Sequence, residues 1–168
     1  MTNNIAIVIP TFNQKETILK TIGLLKEQTV VPDIVVVDNN SVDNSVNEIN
    51  ETYPDVIILK AKSNFGSSGG QYIGTRYAYE KGYDWIIMSD NDAFPASANL
   101  IEELIKNASD KIVTQPLNKY GKEYNDPMLS MHYACYARSI FKKIGFPLFD
   151  FFLFGDDVEY SRRLEKAG

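Results

Sequence analysis

The chain has 168 residues and a formal charge of −5, with 44% hydrophobic and 23% charged residues. That is the mix of a soluble folded domain able to bury a core, and the acidic balance without a basic stripe excludes a nucleic-acid footprint. An anionic ligand stays open, because a bound metal can supply the positive charge that side chains lack.

Residues 5–9 form a short, β-branched apolar run stopped by Pro10, which predicts a buried strand. Over residues 13–27 the period changes, and Ile18, Ile22 and Leu25 fall on one helical face. A second apolar run, 34–37, is stopped by Asp38-Asn39-Asn40-Ser41. Residues 42–50 predict a weaker helix and 56–59 a third strand. Residues 70–81 predict a helix behind a Gly/Ser loop, with Gly82 as its stop. The fourth strand, 85–88, leads straight into Ser89-Asp90-Asn91-Asp92. Beyond it the pattern loosens: a helix over 98–105, a strand over 111–115 and a loop over 118–127. A strand over 131–137 and a short helix ending near Gly145 follow. An aromatic-rich stretch, 146–154, then precedes a final helix over 156–167.

Strands that are apolar throughout are buried on both faces, which predicts a mostly parallel sheet with helices on either side. The fold class is α/β, doubly wound, in a single domain spanning 1–168. Such sheets bind ligands beyond the carboxyl ends of their strands. Four polar clusters sit at those ends: Pro10 to Asn13, Asp38 to Ser41, Asn64 to Gly70, and Asp90 to Asp92. Cys135 is the only cysteine, so there is no disulfide framework, and a reducing, cytoplasmic setting is expected. The first residues carry no signal-like pattern, and no apolar run approaches the roughly 20 residues that span a bilayer.

Asp90 and Asp92 are spaced so that two carboxylates can reach one hard cation, and magnesium or manganese keeps positions free for phosphate oxygens. The alternative is an Asx turn. Asp38, at the end of a strand, can accept hydrogen bonds from a base or ribose, or cap a helix. Residues 64–70 bring glycines to the start of a helix, where backbone approaches closely and anions are favoured. Asp156, Asp157 and Glu159 open the last helix, which the macrodipole alone would favour. They also follow an aromatic run that suits a pocket mouth, where burial raises a carboxylate toward a useful base. His132, the sole histidine, reads as a packed strand residue, and Cys135 as core.

In this order the clusters resemble the inverting family 2 glycosyltransferases of the GT-A fold. The residues that carry the resemblance are 8–13, 35–43, 64–66, Asp90-Asn91-Asp92 and 155–163. The Asp-Asn-Asn-Ser loop, Gly69-Gly70 and Gly155-Asp156-Asp157-Val158-Glu159-Tyr160 are most similar to the rhamnosyltransferase and galactofuranosyltransferase branch. The resemblance implies a UDP- or dTDP-sugar donor, a glycan or lipid-linked acceptor, and a Mn2+ or Mg2+ cofactor. The setting it implies is bacterial surface polysaccharide synthesis, at the inner face of the membrane by peripheral association. The implied donor-binding residues are Pro10, Thr11, Phe12, Asn13, Asp38, Asn40, Asn64, Gly66, Gly70, Asp90, Asn91 and Asp156. Asp90 and Asp92 would hold the metal, and Asp157 would be the base that deprotonates the acceptor hydroxyl. Members of this branch also place a metal-ligating His and an acceptor-binding part beyond the helix that holds the base, so the chain is expected to be a catalytic core truncated at its C-terminus.

Two other readings are weighed. A sugar-1-phosphate nucleotidyltransferase would show a Gly-rich basic loop after the first strand. Here Pro10 to Gln14 holds no glycine, and Lys15 is the first basic residue. A non-catalytic nucleotide-sugar-binding module is the third.

Overall fold

The computed structural model describes residues 4–110, 112–116 and 132–167. Its centre is a five-stranded sheet in the order β3-β2-β1-β4-β5. The strands are β1 (Ile5–Thr11), β2 (Asp33–Asp38), β3 (Ile57–Lys60), β4 (Trp85–Met88) and β5 (Ala134–Ala137). The first four are parallel, and β5 runs antiparallel to β4. All seven residues of β1 are buried, as a central parallel strand covered on both faces requires.

Alternate residues of β1 feed two separate cores. Ile5, Ile7 and Ile9 pack under α1 (Lys15–Lys26), α2 (Ser45–Thr52) and α4 (Leu100–Asn107), meeting Ile18, Ile22, Ile49 and Ile101. Ala6 and Val8 face α3 (Gly66–Lys81), α5 (Arg138–Ile144) and α6 (Asp156–Ala167), meeting Ala78, Ile140, Phe141 and Tyr160. The period of two along a strand assigns each side chain to one layer.

Apart from the strand expected over 111–115, the expected strands and helices are present with shifted ends, and two shifts have clear physical causes. Helix α3 starts at Gly66, four residues before the expected start, and absorbs the glycines that read as a loop. Glycine and serine form helices poorly in isolation, but here they allow close packing. A Cβ at Gly70 would lie 2.6 Å from Pro10 Cβ, and one at Gly74 would collide with Val8 Cγ1. Four residues of helix and two of strand both advance by about 6 Å, so Gly70 and Gly74 sit over Pro10 and Val8 in register. Helix α2 begins at Ser45 rather than at residue 42. Asp43 Oδ1 accepts the Ser45 amide at 3.1 Å, and Val42 stays exposed. Among the described residues, the stretch expected as a strand over 111–115 contributes only isolated bridges, Ser109 to Ile112 and Thr114 to Cys135. The loop expected over 118–127 lies outside the described residues.

Three asparagines, Asn13, Asn40 and Asn44, take positive φ in the turns that leave β1 and β2. Asparagine tolerates that region better than other side chains with a Cβ. No helix among the described residues is long and apolar enough to cross a membrane.

Candidate functional site

The carboxyl ends of β1 and β4 open onto a cavity of about 950 Å³. Its walls come from Pro10 to Phe12, Asn39, Asn64, Gly66, Ser67, Asp90 to Phe94, His132, Tyr133 and Phe152 to Asp157. That volume is at the upper end of ordinary small-molecule sites.

The Asp90-Asn91-Asp92 turn is held from both layers of the fold. From α1, the Thr21 hydroxyl donates to the Asn91 carbonyl at 2.6 Å. From α3, the buried Gln71 amide donates to the Ser89 carbonyl at 2.9 Å. The Asn91 amide reaches Thr11 Oγ1 at 3.3 Å, and Ser67 donates to Asp90 Oδ1 at 3.3 Å. An Asx turn would need none of these tertiary ties. The turn is therefore braced at the cavity edge by both helical layers.

His132 enters through the direction of β5. Met88 pairs with Ala134, and in an antiparallel pair two residues forward on one strand face two residues back on the other. Asp90 and His132 therefore stand opposite each other, with His132 Nε2 donating to Asp90 Oδ2 at 2.7 Å. This hydrogen bond raises the imidazole pKa, against the opposing effect of burial. The expectation that His132 packs within a strand is corrected: the strand begins at Ala134, and the His132 side chain is 61% exposed on the cavity wall.

The opposite wall is a clamped aromatic loop. Between α5 and α6 the chain makes a short 3-10 helix, Phe149–Phe151, then turns through Phe152 with φ 62 and Gly155 with φ 91. The buried Ser68 ties this loop to α3. Its hydroxyl donates to the Leu148 carbonyl at 2.5 Å, and its amide to the Phe152 carbonyl at 3.2 Å. The Phe149 ring lies 4.8 Å from that of Phe65. Gly66 has φ +73 and abuts the Phe152 carbonyl, leaving no space for a side chain. From α6, the Arg163 guanidinium donates to the Ile144 and Phe146 carbonyls at 2.8 and 2.9 Å. Helix α6 thus delivers Asp156 and Asp157 to the cavity from an anchored base.

The two adjacent carboxylates differ. Asp156 is 5% exposed, and burial pushes its carboxyl pKa up, with Asp157 and Asp90 adding repulsion. Asp157 is half-buried, and its Oδ1 accepts the Val158 amide at 2.8 Å. Asp90, Asp92, Asp156 and Asp157 all line the cavity, while its described lining holds no Lys or Arg.

Of the expected donor-binding residues, Pro10, Thr11, Phe12, Asn64, Gly66, Asp90, Asn91 and Asp156 line this cavity, as do Asp92 and Asp157. Asn13, Asp38, Asn40 and Gly70 do not. Asn13 pins two loops together, its backbone N–H donating to Ser41 Oγ at 2.9 Å and its side-chain Oδ1 accepting the Val42 amide at 2.8 Å. Asp38 is 3% exposed, and its Oδ1 accepts the Ser41 amide at 3.1 Å. Asn40 is exposed in the turn, and Gly70 is pressed against Pro10. The neighbour of Asp38, Asn39, reaches the cavity instead. Its amide donates to the Gly66 carbonyl at 3.0 Å, and its Oδ1 accepts the Phe65 amide at 3.3 Å. The period of two along β2 is the signal that separates Asp38 from Asn39.

Among the described residues, no three His, Cys, Asp or Glu side chains form a preassembled metal cluster. The chemistry of the wall still fits a hard cation. Asp90 and Asp92 offer carboxylate oxygens, and a magnesium-type ion is commonly held by one or two carboxylates plus substrate phosphates.

The fold is that of the GT-A glycosyltransferases. The structure resembles a mannosyltransferase of Pyrobaculum calidifontis solved with GDP-Man and Mn2+, with TM-score 0.77 and 18% identity, over 98% of this chain and 51% of that one. It also resembles Staphylococcus aureus TarS solved with UDP, with TM-score 0.74 and 14% identity, over 97% and 55%. The family described as Glycosyl transferase family 2 matches residues 6–159, and the chain belongs to it. Its relatives include a galactofuranosyltransferase of Mycobacterium tuberculosis, 26% identical over 100% of this chain and 66% of the relative. Another is an O-antigen chain rhamnosyltransferase of Salmonella typhimurium, 25% identical over 98% and 62%. The chain thus spans just under two thirds of the length of these relatives.

Proposed function

We propose that this chain is the donor-binding and catalytic core of a metal-dependent inverting glycosyltransferase. It moves a sugar from a UDP- or dTDP-sugar to a glycan or lipid-linked glycan in bacterial surface polysaccharide synthesis. The observation that carries this reading is the acidic cavity: four carboxylates and no Lys or Arg line its described wall at the carboxyl edge of the sheet. A diphosphate brought there without a cation would meet net repulsion. A nucleoside-diphosphate donor is supported by the GDP-Man and UDP bound to the two structural neighbours, the uracil base by the second alone, and a glycan acceptor by the O-antigen chain in the name of one relative.

In this reading Pro10, Thr11 and the half-exposed Phe12 ring hold the nucleobase. Asn39, Asn64, Gly66 and Ser67 border the diphosphate and sugar, and Asp38 and Asn13 brace the loops behind them. Asp90 and Asp92 hold Mn2+ or Mg2+, whose charge stabilises the departing diphosphate. Asp157 takes the proton from the acceptor hydroxyl as that oxygen attacks the anomeric carbon. One displacement with one base inverts the configuration. The exposed Leu153 and Phe154 beside the cavity support a peripheral encounter with lipid-linked acceptors at the inner face of the membrane.

A thermal-shift panel of nucleotide sugars, with and without Mn2+, tests the donor class. A matching UDP- or dTDP-sugar at about 100 times its Kd stabilises by about 2.7 kcal/mol, roughly 5–10 °C for a chain of this size. The shift should require the metal. No shift with any nucleotide sugar in the presence of Mn2+ would contradict the reading.

A further inference from the structure

His132 is the only histidine of the chain, and its place opposite Asp90 is not accounted for by stability. Its side chain is 61% exposed, and an ion pair so open to water contributes little. Yet the pair sits on the cavity wall, at the first residue of the acidic turn, with Nε2 and Oδ2 aimed at each other.

We infer that His132 is a direct ligand of the donor-site cation, its Nε2 joining Asp90 in the coordination shell. The inference rests on the metal-dependent reading above. In the structure Nε2 carries the hydrogen that goes to Asp90 Oδ2. On binding the cation that proton is displaced to solvent, and the neutral imidazole, with its hydrogen on Nδ1, turns the Nε2 lone pair to the side where Asp90 Oδ2 stands. Two adjacent ligands, each about 2.1 Å from one octahedral ion, lie about 3.0 Å from each other. The present separation is 2.7 Å, so admitting the ion needs an opening of only a few tenths of an ångström. The exposed side chain and the end of a strand can provide that without disturbing the core. Asp92 and donor phosphate oxygens fill further positions, so no preassembled three-residue cluster is required. An imidazole nitrogen also has a consequence for metal choice. It suits Mn2+ better than the strictly oxygen-seeking Mg2+.

The sole histidine makes the test clean. Tag-free protein with UDP and Mn2+ is examined by pulsed electron paramagnetic resonance, unlabelled and with 15N-histidine. The expected result is a 14N coupling of a ligated imidazole that converts to 15N on labelling and disappears in His132→Gln. Loss of a direct ligand costs at least as much affinity as loss of an outer-shell partner, so the variant should bind Mn2+ about tenfold more weakly or worse. Mg2+ affinity should fall less. Mn2+ bound beside UDP without that coupling, or with a coupling that survives His132→Gln, overturns the ligand assignment and leaves the donor reading standing. No Mn2+ binding at all, with either UDP or dTDP present, overturns the donor reading and this inference together.

Discussion

Replacing Asp157 with Asn is expected to lower sugar transfer by about 10²- to 10⁴-fold, the usual contribution of a general base, while donor binding is retained. Asparagine keeps the size of the side chain and an oxygen able to accept the Val158 amide, so the start of α6 stays intact. What it removes is the capacity to take a proton. Transfer is measured with the full-length protein at saturating donor and acceptor. The expected pattern is a fall in kcat with donor KM unchanged, the signature of an interaction made only in the transition state. Undiminished transfer would remove Asp157 as the base. Asp156 is the natural competitor, but its carboxyl is almost fully buried, whereas Asp157 is open enough to meet an acceptor.

The largest structural effect is expected at Gly74. Helix α3 lies so close to β1 that a Cβ at Gly74 would collide with Val8 Cγ1 and come within 2.9 Å of Val37 Cγ2. Both are stiff β-branched side chains in central strands, so neither can swing away. Gly74→Ala should destabilise the fold by about 2 kcal/mol or more, because overpacking typically costs about 1–3 kcal/mol and outweighs the better helix propensity of alanine. Val8→Ala alone is also destabilising, through the cavity it leaves. Combined, the two changes should partly cancel, with a favourable coupling of about 1 kcal/mol or more in a denaturant-unfolding cycle. Simple additivity would show that the clash is relieved elsewhere. The same helix carries Ser67 and Ser68, which touch Asp90 and the aromatic loop, so a displaced α3 should also weaken donor binding.

The parallel core was legible in the sequence because strands buried on both faces are apolar without interruption. Those runs also locate the carboxyl edge, and with it Asp90, Asp92 and the loops after β1 and β2. Three features were not legible, each for a physical reason. The helical start of α3 looks like a loop by propensity, and only its packing on Pro10 and Val8 explains glycines at that spacing. His132 depends on β5 running antiparallel, which places the beginning of one strand beside the end of another. Strand direction leaves little trace in a four-residue apolar run. Asp38 and Asn39 lie next to each other, and a strand turns neighbours to opposite faces. A one-residue choice therefore decides which of them reaches the cavity.

In the proposed function a cation bridges this acidic wall to a nucleoside diphosphate. Calorimetry of UDP and dTDP binding, with and without Mn2+, tests that most directly, using the unaltered chain and Asp92→Ala. Mn2+ is expected to strengthen binding of one of the two nucleotides, and Asp92→Ala to abolish the enhancement while leaving metal-free binding unchanged. Identical affinity with and without Mn2+ in the unaltered chain would contradict the bridging cation.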